Sequence, residues 1–139
     1  MTTMRYTSDD NHLVPPNLGD AGIDLRSLTA EEIMSNEIVM FDTGICVEIP
    51  EGHFGMIVPR SGLGSKGITV ANSPGIIDST YRGEIKVALI NHSRKSYMVE
   101  VGDRIAQLVI VPFVVPRLDR VNTLSETDRG SGGFGSTGK

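Results

Sequence analysis

The segment Pro59-Arg60-Ser61-Gly62-Leu63-Gly64-Ser65-Lys66 ends a Val/Ile-rich run in an arginine, a hydroxyl and glycine-exposed amides. A phosphate needs that set: a forked donor, a small donor and main-chain N–H groups. Thirteen residues on, Ser73-Pro74-Gly75 is followed by Ile76-Ile77-Asp78 and then Tyr81. A carboxylate held beside apolar groups can act as base for a water; an ordinary hairpin with one exposed acid accounts for the pattern equally well. Asp24, in Ala21-Gly22-Ile23-Asp24-Leu25, alternates with apolar neighbours and is expected to point outward into solvent. Gln107 interrupts the apolar run after Gly102-Asp103-Arg104, and its amide needs partners from the fold or a ligand.

The C-terminal stretch Arg129-Gly130-Ser131-Gly132-Gly133-Phe134-Gly135-Ser136-Thr137-Gly138-Lys139 reads as a phosphate loop. Gly133 to Lys139 match G-x-x-x-x-G-K, and Gly133, Gly135 and Gly138 spell G-x-G-x-x-G. Both patterns ordinarily precede a helix whose N-terminus supplies the anion site. No helix follows here. Arg129 and Ser136 offer donors, and Phe134 offers one flat apolar face of the kind that stacks on a base.

The elements that must position these residues are short and rich in Val and Ile. Strands are expected over Ile23–Leu28, Ile38–Phe41, Gly44–Ile49, Gly55–Pro59, Ile68–Asn72, Glu84–Asn91, Tyr97–Val101 and Arg104–Val115, separated by turns such as Pro50-Glu51-Gly52. Their spacing points to an all-β sandwich or jelly roll. Thr29-Ala30-Glu31-Glu32 has the form of a capping box, but its apolar run is brief, so a turn between two strands competes with a helix. Ser61 to Lys66 suits one helical turn. The expected organisation is a β domain over residues 1–124 and a flexible arm over 125–139, where Phe134 is the one large apolar residue.

With 139 residues the chain suits one domain. Thirteen basic and 17 acidic residues give a net charge of -4, unlike a general nucleic-acid binder, while a local donor cluster can still hold a small anion. No stretch approaches the length of a membrane span and no signal-peptide core opens the chain, so the expectation is a soluble, cytoplasmic protein. Cys46 is expected to be a small buried hydrophobe, and His12, His53 and His92 to be isolated loop residues without metal-ligand spacing.

Taken in order, five segments resemble the five motifs of the trimeric deoxyuridine triphosphatases (dUTPases). They are Ala21 to Leu25, Pro59 to Leu63, Gly75 to Glu84, Gly102 to Gln107 and Arg129 to Gly138. The resemblance runs from about Asn17 to the C-terminus. It implies a β jelly roll assembled as a homotrimer with sites shared between subunits, the arm of one chain closing over a pocket built by the others. It implies Mg2+-dependent hydrolysis of dUTP to dUMP and pyrophosphate, limiting uracil in DNA and supplying dUMP. Asp78 would be the general base, and Asp24 would reach a triphosphate-chelated Mg2+ through water. Arg60, Ser61, Gly62 and Gln107 would hold phosphates; Arg129, Ser136 and Thr137 would hold the γ-phosphate; Phe134 would lie over the uracil, and Gly135 beside it would belong to the substrate-binding set. Asn72, Ile76, Ile77 and Lys86 would belong to a β-hairpin reading the base, and Tyr81 would crowd out a ribose 2′-OH. A dCTP deaminase of the same fold is the enzymatic alternative, although such enzymes lack the Tyr81-type sugar stop and this tail. A regulatory protein partner, as for some viral and phage relatives, stays open as an added role.

Overall fold

The computed structural model describes residues 2–10, 12–136 and 138. Among the described residues ten strands and one helical turn follow one another: β1 Arg5–Ser8, β2 Ile23–Arg26, β3 Glu31–Ile33, β4 Ile38–Glu48, β5 His53–Val58, α1 Ser61–Gly64, β6 Ile68–Val70, β7 Gly75–Ile77, β8 Glu84–Asn91, β9 Tyr97–Val99 and β10 Arg104–Pro112. They form two antiparallel four-stranded sheets, β1-β4-β8-β6 and β2-β10-β5-β7, with a small β3-β9 pair beside them. This is the all-β jelly roll that the strand spacing predicts. Alternation along β4 and β8 sends Phe41, Ile45, Ile85 and Leu89 inward, where they meet Leu25, Ile57 and Leu108 of the other sheet.

The expected elements depart from the observed ones at informative places. The expected strands Ile38–Phe41 and Gly44–Ile49 are one strand, β4, which runs on through Asp42-Thr43. The pairing with β8 slips between Asp42 and Cys46, a β-bulge in which Gly44 takes φ 66°. Buried Thr43 donates its hydroxyl to the Ile85 carbonyl, and the Gly44 amide donates to the Glu84 carboxylate, so the bulge carries its own polar partners. At Glu31–Ile33 the reading of short strands around a turn holds against the helix: the segment is a strand paired with β9. Arg5–Ser8 pairs along the edge of β4 although its sequence carries no strand pattern. Cys46 is half-buried rather than sequestered, and His53 begins β5.

Asn72 to Lys86 is not the hairpin that the sequence suggests. β7 pairs with β5 in one sheet, while β8 pairs with β4 and β6 in the other. The segment is an arch that crosses between the two sheets. After Pro112 the described residues carry no helix or strand and are exposed apart from half-buried Gly132 and Gly133. Among the described residues, no helix is long and apolar enough to cross a membrane.

Candidate functional site

Four of the five segments fall into two places on the barrel. The first lies where β2, β10 and the turn after β5 meet. On adjacent strands Asp24 stands opposite Gln107, and Gln107 stands opposite Val58, two residues before Arg60. Asp24 is not the solvated carboxylate that alternation predicts: it is 28% exposed, and Arg60, itself 24% exposed, donates from Nε to its Oδ1 at 3.0 Å. Arg104 Nη1 lies 3.5 Å from the other carboxylate oxygen, Oδ2. Gly22 faces the Gln107 amide, with no room for a side chain between them.

Arg104 reaches this face because β10 contains a bulge. Ala106 pairs with Leu25 and Arg104 with Arg26, so Ile105 is the extra residue. Ile105 and Ala106 both point into the core, and Arg104 is returned to the same face as Gln107 and Asp24. The adjacent apolar pair Ile105-Ala106, which breaks an otherwise alternating run, is the sequence signal for this bulge, and Arg104 is the functional candidate that sequence reasoning passed over.

Arg60 opens the single helical turn α1, where Ser61 and Gly62 are exposed and Leu63 is buried as its anchor. Behind the turn, the Lys66 ammonium sits 5.7 Å from the centre of the Tyr97 ring. Two hollows meet at Arg104. One, of about 720 Å³, includes Gly22, Asp24, Arg26 and Gln107; the other, of about 250 Å³, includes Arg60, Gly62, Lys66 and Tyr97. The cations Arg26, Arg60, Lys66 and Arg104 share the two hollows with Asp20, Asp24 and Asp103, a set of forked and point-charge donors suited to a polyanion.

The second place is the arch. Ile76, Ile77, Asp78, Tyr81, Glu84 and Lys86 line a hollow of about 280 Å³ with Met40 of β4. The Asp78–Tyr81 turn closes through the Tyr81 amide donating to the Asp78 carbonyl at 3.0 Å. Arg82 clamps it from behind, donating from Nη1 to the Ser79 and Tyr81 carbonyls at 2.7 and 2.9 Å. Tyr81 folds its ring over Gly83 and donates its hydroxyl to the Glu84 carbonyl at 3.0 Å. A Cβ on Gly83 would stand 2.4 Å from that hydroxyl oxygen, so glycine is what lets the ring lie there. Lys86 is paired with Asp42 across the strands at 2.8 Å; that hydrogen bond first, then the charges of Asp42 and Glu84, hold its pKa above the ordinary lysine value. Asn72 sits on the exposed turn before β7, its Nδ2 beside Gly75.

The two places do not meet within one chain. Ile77 pairs with Gly55, and Arg60 lies five residues further along the same extended segment, roughly 16 Å at about 3.3 Å per residue. Asp78 continues in the opposite direction. The arm forms a third, separate piece. Arg129 Nε donates to the Gly132 carbonyl at 2.8 Å, and Gly130, Gly132, Ser136 and Gly138 make tight turns whose hydrogen bonds, among the described residues, fall inside the arm. Phe134, at φ 52°, is fully exposed, and Gly135 and Ser136 are exposed beside it. Thr137 lies outside the described residues. Among the described residues, no cluster of three or more His, Cys, Asp or Glu is placed to hold a metal ion.

A jelly roll presenting a phosphate-type donor cluster, a carboxylate on an apolar arch and a glycine-rich arm defines a class of nucleotide hydrolase. Comparison with known proteins agrees. The family described as dUTPase matches residues 11–138. The deoxyuridine 5′-triphosphate nucleotidohydrolase of Clostridium tetani is 51% identical over 121 residues, covering 86% of this chain and 83% of that protein. Among solved structures, the dUTPase of Staphylococcus bacteriophage 80alpha with dUPNHPP superposes at a TM-score of 0.92 with 29% identity, covering 100% of both chains. A mutant dUTPase from phage phi11 of S. aureus, solved for its coordination of a structural Mg(II) ion, gives a TM-score of 0.82 with 25% identity over 90% of this chain and 100% of that one. The chain belongs to the dUTPase family.

Proposed function

We propose that this protein hydrolyses dUTP to dUMP and pyrophosphate in the cytoplasm, with sites assembled between the copies of a homotrimer. The observation that carries the reading is the separation just described: the donors suited to a triphosphate and the carboxylate suited to a water sit on one chain yet out of each other's reach. A second copy presenting its arch to the first copy's phosphate face would bring Asp78 and Arg60 together. A third could lay its arm across both.

In this reading, Asp78 accepts a proton from a water as its oxygen attacks the α-phosphorus. The bond from that phosphorus to the α,β-bridging oxygen breaks, and pyrophosphate leaves with the electron pair. Arg60, the Ser61 hydroxyl, the Gly62 amide and Gln107 orient the phosphates and stabilise the charge that builds on them. Arg129, Ser136 and Thr137 grip the γ-phosphate while Phe134, followed by Gly135, covers the base and excludes water.

The donor set fits a Mg2+ that arrives on the triphosphate: among the described residues no group of three or more His, Cys, Asp or Glu could cage an ion, so Asp24 would reach it through water. When bound, the ion supplies charge neutralisation for the leaving pyrophosphate. Selectivity rests on the arch. Asn72 and the backbone beside Ile76 and Ile77 pair with the uracil edge, and cytosine's reversed donor and acceptor pattern leaves buried groups unpaired. Tyr81, fixed over Gly83, crowds a ribose 2′-OH, and Lys86 lines the same hollow. The product dUMP would feed thymidylate synthesis, and removal of dUTP would limit uracil in DNA.

Phosphorus NMR of the protein with Mg2+ and dUTP, beside dCTP, dTTP and UTP, tests the reading. Pyrophosphate and dUMP from dUTP alone are expected. Pyrophosphate from none of the four, or from dCTP and UTP as readily, would overturn it.

A further inference from the structure

The phosphate face sets Asp20, Asp24 and Asp103 among the cations Arg26, Arg60, Lys66 and Arg104, and of these carboxylates Asp24 is the one that meets Arg60 and Arg104. Arg26 and Arg104 are directly opposed on β2 and β10, an arrangement that like charges disfavour. Arg26 leans away, donating from Nη1 to the Gly102 carbonyl at 2.8 Å. Arg104 turns toward Asp24, and Asp24 thereby has one oxygen on each of two guanidinium groups: Oδ2 facing Arg104 and Oδ1 accepting from Arg60. The Arg60 contact uses Nε, which leaves both terminal nitrogens of its fork to face a ligand.

An arginine on the surface samples many rotamers, and fixing one for a bidentate phosphate contact costs conformational entropy at the moment of binding. Asp24 removes part of that cost by holding Arg60 beforehand. Asp24 can do so only if its own carboxylate is kept from rotating, and Arg104 is the group that holds its far oxygen. The β10 bulge at Ile105, which turns both Ile105 and Ala106 into the core, carries Arg104 onto this face.

We propose that Arg104 is a positioning residue that acts through Asp24 to pre-set Arg60 for a nucleoside triphosphate. This rests on the dUTP-hydrolase reading for the identity of the nucleotide, but the relay itself is a property of the free protein. Arg104 need not touch the phosphates.

Two measurements test it. In the free protein, exchange of the Arg60 Nε–H with water is followed by nitrogen-15 NMR. Arg104→Met should speed that exchange, Asp24→Asn should speed it as much, and Arg104→Lys should restore part of the protection. Unchanged exchange in Arg104→Met would overturn the relay whether or not the protein hydrolyses dUTP. Second, binding of α,β-imido-dUTP with Mg2+ is measured by calorimetry in a double-mutant cycle. Loss of a charge-assisted contact predicts weakening by about tenfold in each single variant. The double variant should be no weaker than Asp24→Asn alone, because Arg104 acts through the carboxylate. Losses that multiply would place Arg104 on the nucleotide directly and sink the proposal. Failure of the wild-type protein to bind the analogue at all would count against the hydrolase reading, while the exchange measurement still decides the relay. Arg104→Lys, which keeps the charge, serves both measurements if Arg104→Met does not fold.

Discussion

Gly22 lies flat against the side chain of Gln107: a Cβ built on the glycine would stand 2.9 Å from both the Gln107 Cδ and Nε2. The atoms it meets are the far end of a flexible side chain, not backbone. The fold can therefore accept an alanine by swinging the amide aside, and the loss should appear in binding instead. Gly22→Ala is expected to leave the urea midpoint close to wild type. It should raise the KM for dUTP by about three- to tenfold, the value of one displaced hydrogen bond. A large fall in stability with an unchanged KM would show that Gln107 does not contact the nucleotide.

Residue chemistry was more legible in the sequence than residue grouping. Arg60-Ser61-Gly62 and the arm stand out because phosphate binding needs donor types that few other tasks need, whereas Asp78, an acceptor that suits an ordinary hairpin equally well, stands out only by its place in the ordered set of motifs. The resemblance to the dUTPases came from the same residues in the same order. Grouping was not legible, because it depends on register. Nothing near Asp24 in sequence says that Arg60, 36 positions on, will hold it, or that a bulge 81 positions on will deliver Arg104. The same limit explains β4, where Ile38–Phe41 and Gly44–Ile49 read as two strands until Ile85 and Glu84 supply partners for a bulge that joins them. β1 and β3 are strands because a neighbour offers an edge, while their own residues are polar and brief.

Asn91 shows how the far end of β8 is fixed. It is fully buried, its Nδ2 donating to the Ile33 and Lys95 carbonyls at 2.9 and 2.7 Å and its Oδ1 accepting from the Ser93 amide and hydroxyl at 2.8 and 2.7 Å. One amide thus ties β3, β8 and the turn before β9. Asn91→Ala leaves those groups unpaired in the interior and should cost about 2–4 kcal/mol by urea denaturation, against about 1 kcal/mol for Ser93→Ala. Since Asn91 lies at the opposite end of β8 from Glu84 and Lys86, kcat measured well below the melting temperature should stay near wild type.

The Lys86–Asp42 pair gives a pH signature. Lys86 binds its proton more tightly in the folded chain than free lysine does, because Asp42 accepts its hydrogen bond. That contribution to stability is fully present below the ordinary lysine value and is lost as pH rises through the raised folded value. Asp42→Asn should bring the Lys86 titration, followed by NMR at the ε-carbon, down toward the ordinary range. The pair is exposed, so the neutral-pH urea midpoint should hardly move. A titration unchanged in Asp42→Asn would assign the shift to Glu84, whose carboxylate is 4.0 Å from the ammonium.

The separation of Asp78 from Arg60 makes a prediction that one chain cannot satisfy. If each site draws its phosphate face from one copy and its arch from another, Asp78→Asn and Arg60→Met variants are each inactive for different reasons. Unfolded together in equal amounts and refolded, they can place an intact Arg60 from one copy against an intact Asp78 from its neighbour. With random assembly about a quarter of the sites combine both, so about a quarter of wild-type activity should return. Each variant refolded alone should stay inactive, and mixing without unfolding should recover activity only as fast as subunits exchange. Refolded mixtures with no activity, at the mass of a homotrimer by light scattering, would mean that Asp78 and Arg60 work within a single chain. The arch would then have to move by most of the length of β5 to reach the phosphates, which the pairing of Ile77 with Gly55 opposes.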